Sequence, residues 1–257
     1  MSKLAAFDEL LQQYKTFNYH DNPVLAQRLQ DVQTWLKERM KETHHDFFNL
    51  PEHKLMAQYF LNRLYGGPEF DALAAQIERL LKYAHKAEKV LPENAIKTGT
   101  KSVSLAVLAT QLDEQVAMQL LEDYPADTVL TDEIMRLTLI KLDQAEARYQ
   151  QLALLDDLGA ALDKYMRSFM MFTAFKMCKG IAQKYHFELM YDFIQDGFSA
   201  MKPLKSAEAF IKTFTEKERQ IVEKVHSGHP NPCRVGEGRH IEKTQPHEVE
   251  ILFIIFA

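Results

Sequence analysis

Glycine, proline and cysteine are all scarce in this sequence. Nine glycines, nine prolines and two cysteines occur among 257 residues. So few turn-forming residues, with no sustained alternation of apolar and polar residues before residue 235, are typical of a helical protein and argue against a β-rich fold. Cys178 and Cys233 lie far apart in the chain, which favours free thiols in a reducing compartment over a disulfide framework.

Long hydrophobic runs and a strong net charge are also missing. No window approaches the roughly 20 apolar residues of a membrane-spanning helix. Acidic residues follow Met1 too closely for the apolar core of a signal peptide. These absences predict a cytoplasmic protein with no transmembrane segment. The formal net charge of −5 argues against a nucleic-acid-binding protein that works through bulk positive potential.

The motifs of several common enzyme classes are missing as well. The sequence has no Gly-x-Ser-x-Gly elbow, no phosphate-binding glycine loop, no His-Glu-x-x-His and no Cys-x-x-Cys. Cys178 lies in an apolar run between Met177 and Ile181, so we expect it to be a small buried hydrophobe and not a nucleophile. We therefore assign no catalytic residue and predict no cofactor.

Helix-forming segments fill most of the sequence. Asn22 followed by Pro23 is the pattern of a helix N-cap with proline at the first helical position. The periodicity predicts further helices at residues 4–16, 69–90, 102–122, 131–157, 160–200 and 206–226, with breaks near Pro92, Gly99, Pro125, Gly159, Gly180 and Pro203. The predicted fold is all-α, a compact multi-helix bundle of about seven to nine helices with an irregular C-terminal tail.

The predicted domain organisation is one helical domain over residues 1–228, with a sub-boundary near residues 124–130 left open. Residues 229–257 form an irregular tail that ends in the apolar run 251–256. A β-prone apolar terminus is an aggregation hazard when it is left free. We expect this tail either to dock into a groove, to pair as a strand, or to be foreign to the domain.

One apolar stripe runs along the helix that begins at Pro23. Its members recur at spacings of three and four residues and are Leu25, Leu29, Val32, Leu36, Met40, His44 and Phe47. His44 continues this stripe toward the interior, whereas Glu42 and His45 fall on the polar face. A histidine on a core-facing stripe is usually buried and hydrogen-bonded to a carbonyl or carboxylate group. The alternative is a ligand role, such as axial ligation of haem.

Metal ligands at helical spacing occur twice, as Glu42-x-x-His45 and Glu223-x-x-His226. Pairs of this kind on facing helices hold two iron ions in ferritin-like proteins. The register argues against such a site here, because His45 lies on the polar face and His226 lies at a helix end. We therefore predict no metal site.

Charge is unevenly distributed between two neighbouring regions. Residues 113–163 are rich in acids, and the following segment carries Lys164, Arg167, Lys176, Lys179 and Lys184. The simpler interpretation is that the two charged faces complement each other inside one fold or across a dimer. The other is a basic patch for an anionic partner or a membrane surface. Apolar residues all round the basic segment favour a central core helix instead.

The most distinctive local sequence runs from Tyr59 to Gly67, Tyr-Phe-Leu-Asn-Arg-Leu-Tyr-Gly-Gly. It is an aromatic-rich helix end at which Gly66 can take the left-handed conformation and reverse the chain. A rigid, well-packed corner explains every residue type in it. A functional interpretation makes Arg63, Tyr65 and Gly66 an exposed interaction site.

Three segments of the sequence together resemble a known family. They are Thr43-His44-His45-Asp46-Phe47, the Tyr59–Gly66 segment, and Asp71 followed by Gln76-Ile77-Glu78-Arg79. The chain resembles the FFLEEY-motif family of bacterial proteins over roughly residues 20–230, at the level of element order and spacing. It has Tyr59 where the family commonly has phenylalanine, and Asn62-Arg63 where acids are usual. The resemblance implies one all-α domain in a bacterial cytoplasm, and it transfers no catalytic residue.

Two functional hypotheses follow. The first is a non-enzymatic helical interaction or regulatory protein that binds a protein partner or self-associates, with a homodimer as one form. It predicts no sizeable internal cavity and no convergent buried polar cluster. The second is a helical protein that binds a haem-like or lipid-like ligand, with His44, Tyr59 and Tyr65 as the cofactor-binding residues. It predicts a closed apolar pocket of several hundred cubic ångströms.

Overall fold

The computed structural model of the protein describes residues 2, 4–65, 70–87, 93–166, 173 and 175–232. None of these residues forms a β-strand, which confirms the all-α class. Eleven α-helices have their bounds among them: α1 Ala5–Lys15, α2 Pro23–Thr43, α3 His45–Phe48, α4 Lys54–Tyr59, α5 Phe70–Ala87, α6 Glu93–Asp123, α7 Asp132–Leu142, α8 Ala145–Met166, α9 Lys179–Tyr185, α10 Glu188–Met201 and α11 Ala207–His226. A 3₁₀ turn covers Asn18–His20, and a π-helical turn, Phe60–Leu64, extends α4. The predicted count of seven to nine helices was therefore low.

Side chains fix several of these boundaries. The Asn22 side chain accepts hydrogen bonds from the backbone N–H groups of Val24 and Leu25, both at 3.1 Å, so the predicted start of α2 is confirmed. Ser206 caps α11 by accepting from Ala209 N–H. Asp163, on α8, accepts a hydrogen bond from the Ser206 hydroxyl at 2.5 Å. The start of α11 is thereby tied to α8.

Two of the predicted helices are divided, and two predicted breaks lie inside helices. The predicted helix at residues 131–157 is divided after Leu142, where Asp143 takes a left-handed conformation with φ 48° and ends α7. The predicted helix at residues 160–200 is divided between α9 and α10, where His186 takes the same conformation with φ 57°. Gly99 lies inside α6 and Gly159 lies inside α8. At both positions a neighbouring side chain lies so close that a larger residue would collide with it. A β-carbon at Gly159 would approach Ile211 of α11 to 3.1 Å.

The helices pack as a bundle in which α6 and α8 are central. Helix α8 runs along α11 and also contacts α6, and α6 in turn contacts α1, α2 and α7. One apolar cluster joins α2, α4, α10 and α11, and a second joins α2, α6 and α7. Because α2 contributes to both clusters, its orientation determines which of its side chains are buried.

Helix α2 places its apolar stripe toward the interior. Leu36, Met40 and His44 are all buried, and Glu42 and His45 are exposed. The predicted orientation of this helix is therefore confirmed. Glu223, the other acidic member of the two Glu-x-x-His pairs, is exposed on α11, so these carboxylates do not converge.

The prediction that Cys178 is a buried hydrophobe was wrong, because its side chain is exposed. Met177 beside it is 77% exposed. The segment is apolar, but the described part of it lies on the surface, anchored on one face only by Phe175 and Ala182. Gly66, Cys233 and the predicted tail from residue 233 lie outside the described residues. No described helix has the length and apolar character needed to cross a membrane.

Candidate functional site

A buried carboxylate joins helices α2 and α11. Glu218, on α11, accepts a hydrogen bond from His44 Nε2 at 2.7 Å and another from Arg39 Nη1 at 2.6 Å, both on the same oxygen, Oε1. The side chains of His44 and Glu218 are 1% and 8% exposed. Lys217 donates to the backbone carbonyl of Thr43, which secures the same end of α2 to α11. The predicted structural partner of His44, a carboxylate, is therefore present.

Aromatic rings fill the space around the His44 imidazole. Its centroid lies 5.2 Å from the Phe48 ring, nearly parallel to it, and 4.6 Å from the Phe214 ring. One ring nitrogen is engaged by Glu218, and packed rings cover two sides of the imidazole. The geometry is that of a core histidine, and a ligand bound at His44 would have to displace these groups.

A second buried carboxylate lies on α6. Asp113 accepts a hydrogen bond from the Tyr65 hydroxyl at 2.7 Å and is paired with Arg148 of α8, whose Nη2 lies 3.0 Å from Oδ1. Gln33 of α2 also donates to it. Asp113 has 1% of its side chain exposed. This carboxylate therefore joins α2, α6, α8 and the segment that follows the π-helical turn.

The pKa values of the two carboxylates are shifted in opposite directions, because burial and nearby positive charge act on them with different strengths. Burial disfavours ionised Glu218, but the Arg39 charge and the hydrogen bonds from His44 and Arg39 outweigh it and lower the pKa of Glu218 to about 2. For Asp113 the burial outweighs Arg148 and the donors Tyr65 and Gln33, so its pKa is raised. Burial, followed by the Asp113 charge, raises the pKa of the Tyr65 hydroxyl well above its ordinary value. Tyr65 therefore stays a donor.

The two carboxylate sites share helix α2, which provides Arg39 to Glu218 and Gln33 to Asp113. We use the term buried network for Arg39, His44, Glu218, Tyr65, Asp113 and Arg148. The expectation that an interaction protein of this sequence has no convergent buried polar cluster was therefore wrong. Its two carboxylates are matched by two guanidinium groups, an arrangement that locks helices together. Among the residues that the structure describes, no group of three or more His, Cys, Asp or Glu could hold a metal ion.

The three predicted cofactor-binding residues do not direct their polar groups to a common point, because each forms its hydrogen bond with a different partner. The Tyr59 hydroxyl donates to the backbone carbonyl of Phe193, on α10, at 3.0 Å. Tyr65 is directed to Asp113 instead, and His44 to Glu218. Each of the three polar groups is thus held by a different helix: α10, α6 and α11.

The expectation that Arg63 and Tyr65 form an exposed interaction site is not met. The Arg63 side chain is 13% exposed and its Nη1 pairs with Asp196 at 3.1 Å. Its guanidinium carbon lies 5.8 Å from the centre of the Phe193 ring. Spacing alone indicated that Arg63 projects from the helix, but α10 lies against that side and receives it. Gly66, the third predicted residue, is outside the described part of the chain.

A surface groove lies on the other side of the bundle. It has a volume of about 510 Å³ and is formed by three helices, with Leu10 and Gln13 from α1, Ser104, Val107, Leu108 and Gln111 from α6, and Gln150, Ala153, Leu154 and Asp157 from α8. Gln13 donates to Gln111 at 3.2 Å across one end. Lys101 is paired with Asp157 at the other end. None of His44, Tyr59 and Tyr65 lines this groove, and the groove is open to solvent.

Sequence reasoning missed both carboxylates of the buried network and the groove. The signal for the carboxylates was present: Asp113 follows Leu112 on the apolar stripe of α6, and Glu218 lies four residues after Phe214. An acid on an apolar stripe indicates a buried partner. The groove has no comparable signal, because its walls come from three distant segments.

Comparison with known families adds one result. Residues 16–232 match the family described as Domain of unknown function (DUF8198). The chain belongs to this family. All six residues of the buried network lie within the matched family region, whereas α1, which contributes one wall of the groove, precedes it. No curated protein matches the chain, and no solved structure matches it either.

Proposed function

We propose that the protein is a non-enzymatic helical interaction protein that self-associates through the groove between α1, α6 and α8. The observation that carries this proposal is the shape of the groove: a trough with one helix as its floor and one helix on each side. The floor residues Ser104, Val107, Leu108 and Gln111 follow helical spacing. They extend over about 10 Å, or two helical turns. Such a surface accepts a further helix.

The chemistry of the groove matches an amphipathic helix. Leucine, valine and alanine line the inside, and amide groups and one carboxylate lie at the edges. An apolar centre with a polar rim is the usual anatomy of a protein interface. Small Ala153, exposed on α8, permits a close approach of the entering backbone.

The occupant that we propose is helix α8 of a second copy. Its exposed face consists of Gln150, Ala153 and Asp157, which we call the α8 face. When two α8 helices pair antiparallel with Ala153 near a two-fold axis, Gln150 of one copy faces Asp157 of the other. An amide N–H can then donate to a carboxylate in both directions, which makes the surface self-complementary as a two-fold interface requires.

The buried network supports this function indirectly. It bonds α2, α6, α8 and α11 together, so the α6 floor and the α8 wall are held rigidly and that part of the groove is preorganised. His44, with one ring nitrogen engaged and two sides covered by rings, favours the structural hypothesis over a ligand site. A bacterial cytoplasmic protein of the FFLEEY-motif type remains part of the proposal.

The native mass of the purified full chain tests self-association. We expect light scattering to give twice the chain mass of 29.8 kDa, and Ala153→Arg to give the single chain mass, because the long charged side chain blocks the approach of the second helix. The matched control is Ala75→Arg, an exposed alanine on α5, away from the groove. Its mass should equal that of the wild type.

Two outcomes would overturn the proposal. One is a wild-type protein of single chain mass at all accessible concentrations. The other is an Ala153→Arg variant that retains the doubled mass. Both variants should melt close to the wild-type temperature, because exposed substitutions on a helix usually change stability by less than about 0.5 kcal/mol.

A further inference from the structure

An exposed apolar stripe begins at Met177, two residues before α9, and continues along α9. Met177, Ile181 and Tyr185 follow one another at intervals of four residues and are 77%, 58% and 47% exposed. We call these three residues the outer stripe. Single exposed apolar residues are ordinary, but three at four-residue spacing are not explained by the packing of the described residues.

The opposite side of this segment is well anchored. Phe175 stacks on Tyr191 with ring centroids 4.4 Å apart and the planes inclined by 6°. Ala182 is buried in the same cluster with Phe187. Because one face of the segment is held by α10, the outer stripe is held in an outward position.

Basic side chains surround the outer stripe. Lys176, Lys179 and Lys184 are all exposed, and Lys184 Nζ lies 5.6 Å from the centre of the Tyr185 ring. Acids also lie nearby. Glu188 lies beside His186, and the Lys179 charge acts on buried Asp192. The local charge is positive in a protein whose net charge is −5.

Several carboxylates of the acidic region have partners on α6, α7 and α11. Some of these partners lie within residues 113–163 and others lie outside that range. Asp123 pairs with Lys141, Asp156 with Arg219, and Asp157 with Lys101. These three ion pairs join α6 to α7, α8 to α11 and α8 to α6.

We propose that the outer stripe and its lysines bind an anionic lipid surface. The stripe is about 12 Å long, so it can lie in the interfacial plane but cannot span a bilayer. Its side chains are exposed, and a bilayer interface accepts exposed apolar side chains without needing a shaped pocket. The lysine stems can lie along the acyl boundary while their ammonium groups reach the headgroup phosphates. Methionine, isoleucine and tyrosine each suit that boundary.

Co-flotation of the full chain with lipid vesicles tests this proposal. Wild-type protein should float with vesicles of phosphatidylcholine that contain about 30% phosphatidylglycerol, and not with phosphatidylcholine alone. Raising the salt concentration from about 0.1 M to about 0.5 M should release it, because screening weakens the contribution of the lysines. Circular dichroism melting checks that each variant is folded.

Two substitutions separate the apolar and the basic contributions. Ile181→Glu should weaken binding to anionic vesicles by about tenfold or more, since a side chain that inserts is replaced by an anion. Its matched control is Val129→Glu, at an apolar residue that is 80% exposed between α6 and α7; this variant should bind like the wild type. Lys179→Glu with Lys184→Glu should weaken binding by about 25-fold or more, at about fivefold for each lysine. Lys54→Glu with Lys212→Glu is the charge-matched control.

Several results would overturn the proposal. These are a wild-type protein that does not float with anionic vesicles, and an Ile181→Glu variant that floats as well as the wild type. Binding to polyglutamate without binding to vesicles would assign the patch to an acidic protein. A native mass that halves on Ile181→Glu would make the outer stripe a contact between copies. Neither vesicle result bears on the groove, which Ala153→Arg tests separately.

Discussion

His44 Nε2 and Glu218 Oε1 lie 2.7 Å apart inside the protein, although 174 residues separate them in the chain. Arg39 donates to the same oxygen at 2.6 Å. One carboxylate therefore satisfies two buried donors and joins α2 to α11. The groove that we propose as an interface depends on this joint, because α11 in turn packs along α8.

The first prediction compares how much stability is lost when Glu218 or His44 is removed. Glu218→Ala should lower the free energy of unfolding by about 3–5 kcal/mol, because it leaves the Arg39 charge buried without its carboxylate. His44→Ala should cost less, about 2–3 kcal/mol, through a lost hydrogen bond and a cavity. Equilibrium unfolding in urea measures both. Glu216→Ala, at an exposed acid on the same helix, is the control and should stay within about 0.5 kcal/mol of the wild type. Equal losses for all three variants would contradict the assigned geometry.

The second prediction concerns acid stability. The pKa of Glu218 falls from its ordinary 4.5 to about 2 on folding. A lowered pKa means that the stabilisation, about 3 kcal/mol, is complete above pH 4.5 and is lost as the pH falls toward 2. The stability difference between wild type and Glu218→Gln should therefore shrink steadily from about pH 4.5 to pH 2.

Asp113 acts in the opposite direction, because its pKa is raised and the native protein takes up that proton before the unfolded chain does. Since both proteins contain Asp113, its contribution cancels in the difference. Urea unfolding at a series of pH values gives the result. A difference between the two proteins that stays constant down to pH 2 would show that Glu218 is not held by Arg39 and His44.

The third prediction compares two tyrosines of the distinctive segment. Tyr65→Phe removes a donor from a buried carboxylate and should cost about 1–3 kcal/mol of stability. Tyr59→Phe removes a donor from the neutral carbonyl of Phe193 and should cost about 0.5–1.5 kcal/mol. Thermal and urea unfolding of the two variants rank them. The reverse order would mean that Asp113 does not depend on Tyr65.

The fourth prediction uses glycine as a probe of packing. Gly180→Ala should stabilise the protein by up to about 1 kcal/mol, because no neighbouring atom lies within 4 Å of the added β-carbon and alanine favours a helix. Gly159→Ala should destabilise it, because the β-carbon would lie 3.1 Å from two atoms of Ile211. Melting temperatures of the two variants should move in opposite directions. Stabilisation by both would indicate that α8 and α11 are farther apart than described.

The sequence predicted local features well and distant pairings poorly. The Asn22 cap and the inward direction of the stripe through Met40 and His44 depend on neighbours within a few residues, and both are confirmed. That His44 would meet a carboxylate was foreseeable, but nothing local identifies Glu218 as that carboxylate. Gly159 illustrates the opposite error, since a glycine in a helical pattern marks either a break or a close approach, and only the position of α11 decides between them.

Exposure of the basic segment could not be predicted for a related reason. Met177 and Cys178 occur in an apolar run, which indicates burial when helices cover every side. Among the described residues, α10 covers one side of this segment, through Phe175 and Tyr191, and Met177 and Cys178 are exposed. Arg63 shows the opposite error. Its side chain was expected to be exposed, but it lies against α10 and pairs with Asp196. Periodicity gives the faces of a helix, but it does not give the number of neighbours.

The most direct measurement of the proposed function is a cross-link at the α8 face. In a chain with Cys178→Ser and Cys233→Ser, Ala153→Cys should form a disulfide between two copies under mild oxidation, because antiparallel α8 helices bring its two Cα atoms within about 7 Å. Ala75→Cys, on α5, should stay uncross-linked under the same conditions. A non-reducing gel that shows a covalent dimer for Ala153→Cys alone is the predicted result. No dimer at residue 153, or equal dimer at residues 153 and 75, would contradict self-association through this groove.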